Sequence, residues 1–97
     1  MNDNNSAESR IIVTVLGKDK VGIIAAVTTV LAQANANILD ISQTTMQEFF
    51  VMVMLVDITH CSLDFGALKQ RLAEKGEEIG VQVNAQKEDV FHFMHRI

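Results

Sequence analysis

A chain of 97 residues can build one domain, not two. Its formal charge of −4, with eight Lys plus Arg in all, argues against binding nucleic acid by phosphate neutralisation, and a hydrophobic content of 48% excludes a disordered chain. The single cysteine, Cys61, excludes an intrachain disulfide and points to a reducing compartment.

Residues 1–9 are polar, without the apolar region of a signal peptide, and read as a disordered N-terminal tail. Residues 10–16 form a first strand, rich in the β-branched Ile11, Ile12, Val13 and Val15. Residues 17–20 form a loop in which Asp19 is placed to cap a helix over 21–34. Asn35-Ala36-Asn37 ends that helix, because Asn tolerates left-handed backbone and competes for local hydrogen bonds. A second, partly polar strand spans 38–46, and a third, the most apolar, spans 48–58, with a turn near Met46-Gln47. Ser62 or Asp64 caps a second helix over 63–79, whose Leu68, Leu72 and Ile79 share a face, and Gly80 suits its end. Residues 81–87 alternate Val81, Val83 and Ala85 with Gln82, Asn84 and Gln86, as a one-sided edge strand does. Residues 89–97 read as a short C-terminal helix packed on the protein through Val90, Phe91, Phe93, Met94 and Ile97.

This order, βαββαβ plus an appendage, predicts an α+β ferredoxin-like sandwich: a four-stranded antiparallel sheet with both helices on one face. Right-handed crossovers place the first and third strands in the centre. The third strand is apolar on both faces, with Phe49, Val51, Val53 and Leu55 alternating with Phe50, Met52, Met54 and Val56. The first helix is apolar around most of its circumference, with Ile23 and Val30 set off from Ile24, Val27 and Leu31. A monomer leaves such surface in water at roughly 1.5–3 kcal/mol per side chain, so a homo-oligomer, first of all a dimer, is expected. The longest uncharged stretch, residues 21–39, is interrupted by Gln33, Asn35 and Asn37, and its apolar part is shorter than the ~20 residues of a membrane span. A soluble cytoplasmic protein is the expectation.

Few residues suggest chemistry. No Cys-x-x-Cys pair occupies the first loop, as a metal-transport domain of this shape requires, and no arginine stands there as in an acylphosphatase. An RNA-recognition sheet needs aromatics on its central strands, and the first strand has none. His60 with Cys61, and His92 with His95, lack the convergent spacing of a zinc site. Cys61 has no recognisable His/Asn constellation around it, and Asp40 reads as a solvated strand residue. No general acid–base pair or phosphate-binding loop emerges, so no enzyme activity, catalytic residue, cofactor or metal is expected.

The informative run is Asp19-Lys20-Val21-Gly22-Ile23-Ile24, between the first strand and the first helix. Gly22 sits in what the sequence places as the first helical turn, where backbone N–H groups lack intrahelical partners and a small carboxylate can approach. This run, with Asn37-Ile38-Leu39-Asp40 further on, resembles the ACT domain family, whose members typically carry Asp-Arg-Pro-Gly-Leu or a close variant in the first loop and an Asn-Ile step into the second strand. The resemblance covers residues 10–88 and is strongest to small stand-alone ACT proteins of bacteria and archaea. It extends to the ACT modules of the glycine cleavage system's transcriptional regulator. The chain departs from the family at Val21, where proline is usual.

The resemblance implies a non-catalytic regulatory module. It binds a small amino acid or related metabolite where two domains meet, the first loop of one subunit facing the start of the second strand of the other. Asp19, Val21, Gly22 and Ile23 form one half of that site: backbone N–H groups near Gly22 and Ile23 take the carboxylate and Asp19 receives the ammonium. Asn37, Ile38 and Leu39 close it. A regulated protein partner is implied without being named by the sequence. The alternative is an interaction or assembly module with no functional ligand site.

Overall fold

The computed structural model describes residues 9–90, which form β1 (Arg10–Lys18), α1 (Ile23–Gln33), β2 (Asn37–Met46), β3 (Phe49–Asp57), α2 (Phe65–Ile79) and β4 (Gln82–Lys87). A helical turn opens at residues 88–90. Of the tail expected over residues 1–9, residues 1–8 lie outside the described residues, as does the packing of residues 91–97, while the Ser9 carbonyl accepts from Ile58 N–H (2.8 Å).

All strand pairs are antiparallel, in the order β2-β3-β1-β4, so the two most apolar strands are central. Ile11, Val13 and Val15 of β1 point to the helix side with Phe50, Met52, Met54 and Val56 of β3 and Val83 and Ala85 of β4. Against them pack Ile23, Val27, Val30 and Leu31 of α1 and Leu68 and Leu72 of α2, forming one core. Ile23 and Val30 therefore face inward, contrary to the all-round apolar helix read from the sequence. α1 leaves only Ile24 as a large exposed apolar residue, because the helix begins two residues later than expected and its buried stripe is wider than one row.

Both helices end in the same way. After α1, Asn35 takes φ 61°, Ala36 N–H donates to Leu31 C=O (2.9 Å) and Asn35 N–H to Ala32 C=O (3.0 Å). After α2, Val81 N–H donates to Gly76 C=O (2.8 Å) and Gly80 N–H to Glu77 C=O (3.4 Å). These are Schellman ends, which satisfy carbonyls that the helix leaves open. The start of α2 is capped by Asp64, whose carboxylate accepts from Ala67 N–H (2.8 Å).

The start of α1 is different, and here the expectation fails. Asp19 does not cap it. The N-cap is Gly22 at φ 94°, with no side-chain cap and no acidic residue in the first turn. Gly22 thus precedes the first turn, and its left-handed backbone is one that a residue with a Cβ adopts at a cost.

Edge strand β2 carries a bulge at Leu39, which has no register partner between the Ile38↔Val56 and Asp40↔Leu55 pairs. β2 is joined to β3 by the two-residue turn Gln47-Glu48, with Gln47 at φ 58°.

Candidate functional site

The first loop is fixed at three points. Asp19 N–H donates to Glu48 C=O (2.9 Å), tying the loop to the β2–β3 turn. Lys20 Nζ donates to Ile79 C=O (2.9 Å), placing an ammonium on the C-terminal end of α2, where a cation is favoured. Ala26 N–H closes on Gly22 C=O (2.9 Å) and begins the helical ladder. Val21, between these anchors, is fully exposed at 102%.

This arrangement leaves the N-terminus of α1 opening without a side-chain cap into a depression of about 310 Å³. Its lining is Asp19, Lys20, Gly22, Ile23, Ile24 and Ala25 from the loop and α1, Gln43 and Thr45 from β2, and Phe50 from β3. An ideal Cβ on Gly22 would meet nothing within 4 Å, so the space before the helix is open. Chemically the hollow offers backbone donors at the positive end of a helix, one carboxylate, two uncharged polar side chains and an apolar wall. Among the described residues no three His, Cys, Asp or Glu side chains gather as a metal set would.

The other group of residues singled out by the sequence stands at the opposite end of the sheet. Asn37 pairs in register with Asp57, which faces Arg10 at the start of β1, whereas the first loop follows Lys18 at its end. Eight residue steps of about 3.3 Å put the two ends roughly 25 Å apart. Within one chain, Asp19, Val21, Gly22 and Ile23 cluster together, and Asn37, Ile38 and Leu39 do not join them. Ile38 packs against the core, and Leu39 is exposed at the bulge.

The far end has a polar hollow of its own, about 320 Å³, lined by Asn35, Asn37, Asp57 and His60. Asn35 Nδ2 donates to His60 C=O (3.0 Å). The Thr59 hydroxyl (2.6 Å) and N–H (2.8 Å) both donate to Asp57 Oδ1, and with the lesser influence of His60 and Arg10 they hold its carboxyl below its ordinary pKa. Sequence reading alone did not find Gln43, Thr45 and Phe50 at the first hollow, or Asp57 and His60 at the second. Each depends on strand register, and no local motif marks them.

The β2 edge adjoins the first hollow. Nine of its ten residues are exposed, Ile38 being half-buried, and it contains no Pro, Lys or Arg to discourage pairing with another strand.

Comparison with known proteins agrees with this architecture. The family model for the ACT domain matches residues 9–86. A UPF0237 protein of Methanocaldococcus jannaschii is 56% identical over 89 residues, which span 92% of this chain and 99% of the relative. The structure of an ACT domain protein from Streptococcus pneumoniae superposes with a TM-score of 0.75 at 38% identity, covering 84% of this chain and 92% of that one. A putative glycine cleavage system transcriptional repressor shares the fold, with a TM-score of 0.70 at 21% identity over 79% of this chain and 44% of its own. No helix among the described residues is long and apolar enough to cross a membrane. With the βαββαβ order, the strand order and nearly the whole domain matched, the chain belongs to the ACT domain family.

Proposed function

We propose that this protein is a non-catalytic regulatory module that binds a small amino acid, or a closely related metabolite, between two copies of itself. The observation that carries the reading is the uncapped N-terminus of α1, which opens into a hollow beside an unpaired strand edge. The ligand's carboxylate takes backbone N–H groups near Gly22 and Ile23, and Asp19 receives its ammonium.

The separation of the two residue groups supports a site built from two chains. If β2 pairs antiparallel with its own copy about the strand centre, residues 37–39 of one protomer lie opposite residues 44–46 of the other. Thr45 lines the first hollow. Such pairing carries Asn37, Ile38 and Leu39 of the partner subunit to the mouth of the hollow, with Ile38 of the partner subunit opposite Thr45 on the helix side of the sheet. The occupied pocket then exists only in the dimer, and ligand and assembly are linked.

One feature favours a second reading, an assembly module without a functional ligand. Val21 stands fully exposed where the resembling family usually has proline, so the loop keeps an N–H and a freer backbone. Thermal unfolding of the full chain with each of the twenty amino acids at millimolar concentration separates the readings. A ligand that binds only the folded dimer raises the midpoint through RT ln(1 + [L]/Kd). A flat response to all twenty, from a protein that still self-associates, sinks the ligand reading and leaves the assembly one.

A further inference from the structure

Among the described residues, Ile12 alone is apolar and buried, at 8% exposure, yet stands outside the core cluster. It lies on the sheet face opposite the helices, between Leu55 of β3 and Gln86 of β4. Leu16 makes a matched comparison. It is on the same strand and the same face, as far from the end of β1 as Ile12 is from the start, and lies between Val51 and Gln82. Each has a basic residue two positions outward, Arg10 or Lys18. Yet Leu16 is 48% exposed. Gln86 beside Ile12 is half-buried, and Gln82 beside Leu16 is exposed. The neighbours within the sheet are equivalent in the two rows, and both helices pack on the other face. The difference therefore comes from something that lies over the sheet at the Ile12 end.

The chain itself leaves the sheet there. β4 ends at Lys87, opposite Ile11, and a helical turn opens at residues 88–90. That turn is clamped to the start of β1: Arg10 Nε and Nη2 donate to the two carboxylate oxygens of Glu88 at 2.8 and 3.0 Å, and Glu88 is buried. The residues that follow are Phe91-His92-Phe93-Met94-His95-Arg96-Ile97. At helical spacing Phe91, Phe93, Met94 and Ile97 take one side and His92, His95 and Arg96 the other. Residues 1–8 enter at the same end, but Met1 and Ala7 are their only apolar side chains.

We infer that residues 91–97 dock on this face of their own chain, as an amphipathic helix lying across β1 with its apolar side on Ile12 and Leu55. The reach fits, since seven helical residues advance about 10 Å and β4 stands two strand spacings of about 4.8 Å from β3. The width fits what stays open. A helix about 10 Å across, centred on the Ile12 row, stops short of Leu16, which lies four residues or about 13 Å further along β1. Leu16, Phe49 and Met46, at that far end, are the exposed apolar residues of the face. The Arg10–Glu88 pair holds the first turn beside Ile12, so closure within one chain needs no second molecule. The inference does not depend on the ligand reading.

Two measurements on the full chain test it. In a Cys61→Ser background, Ile12→Cys should react with a thiol reagent roughly tenfold or more slowly than Leu16→Cys. Adding Phe93→Ser and Ile97→Ser should remove most of that difference while native circular dichroism is retained. The second measurement needs no substitution. In chains labelled on Ile and Leu methyl groups, nuclear Overhauser contacts should join Ile12 and Leu55 to the rings of Phe91 or Phe93. These contacts should vanish in an isotope-filtered spectrum of labelled chains mixed with unlabelled ones, which records contacts between chains alone. Contacts that persist there assign the face to a second copy and overturn the inference. So do Ile12 contacts confined to residues 9–90, or a folded double-serine variant in which Ile12→Cys stays as protected as before.

Discussion

At the residue scale, two glycines do different work. Gly22 is required by its φ of 94°, and the space before it is open. Gly76, inside α2, is required by proximity: a Cβ there would stand 2.7 Å from Val81 O and 2.8 Å from Val83 Cγ2. An exposed helical Gly→Ala gains about 1 kcal/mol from propensity. Here the neighbour is backbone that also closes the Schellman turn, so Gly76→Ala should destabilise the protein by about 1–3 kcal/mol, measured by urea unfolding. Asp57 supplies a pH dependence of known sign. Its folded pKa is lowered by the two Thr59 hydrogen bonds, so its stabilising contribution is present above the unfolded value near 4 and is lost as pH falls through the folded one. Asp57→Asn keeps an acceptor for Thr59 and should flatten this part of the acid limb when melting temperature is followed from pH 6 to 2.

At the scale of elements, the two helix starts make a matched comparison. Asp64 caps α2 in fact, and Asp19 lies near α1 without capping it. Asp64→Ala should therefore cost about 1 kcal/mol in equilibrium unfolding, and Asp19→Ala should stay within about 0.5 kcal/mol. A large loss from Asp19→Ala would mean that it caps after all. The same pair shows what is legible in a sequence. The elements, the central strands, a cap at Ser62 or Asp64 and the Gly80 end follow from periodicity and local chemistry, and the structure decides for Asp64. Asp19 resembles a cap as much as Asp64 does. What separates them is that Gly22 takes a left-handed turn, a choice made by the tertiary anchors at Glu48 and Ile79. The inward placement of Val30 and the bulge at Leu39 are of the same kind, set by packing and register.

At the scale of the molecule, half of the candidate site could be read from the chain and half could not. The loop Asp19 to Ile23 is contiguous, and Asp19, Lys20, Gly22 and Ile23 line the first hollow, whereas Val21 faces a separate depression beside Glu77 and Gly80. Gln43, Thr45 and Phe50 reach that hollow only because β2 and β3 pair as they do, with Thr45 opposite Phe50. Asn37, Ile38 and Leu39 stand at the other end of the same chain, so their part in the site requires a second copy. The central claim is that two distant segments act in one pocket, and a ¹⁵N-resolved NMR titration tests it most directly. The titrant is whichever of the twenty amino acids raises the melting temperature most. The account predicts that amide signals of residues 22–25 and of residues 37–39 shift together, along one saturation curve, although some 25 Å separates them in one chain. Shifts confined to one of the two segments, or lying outside both, would contradict it.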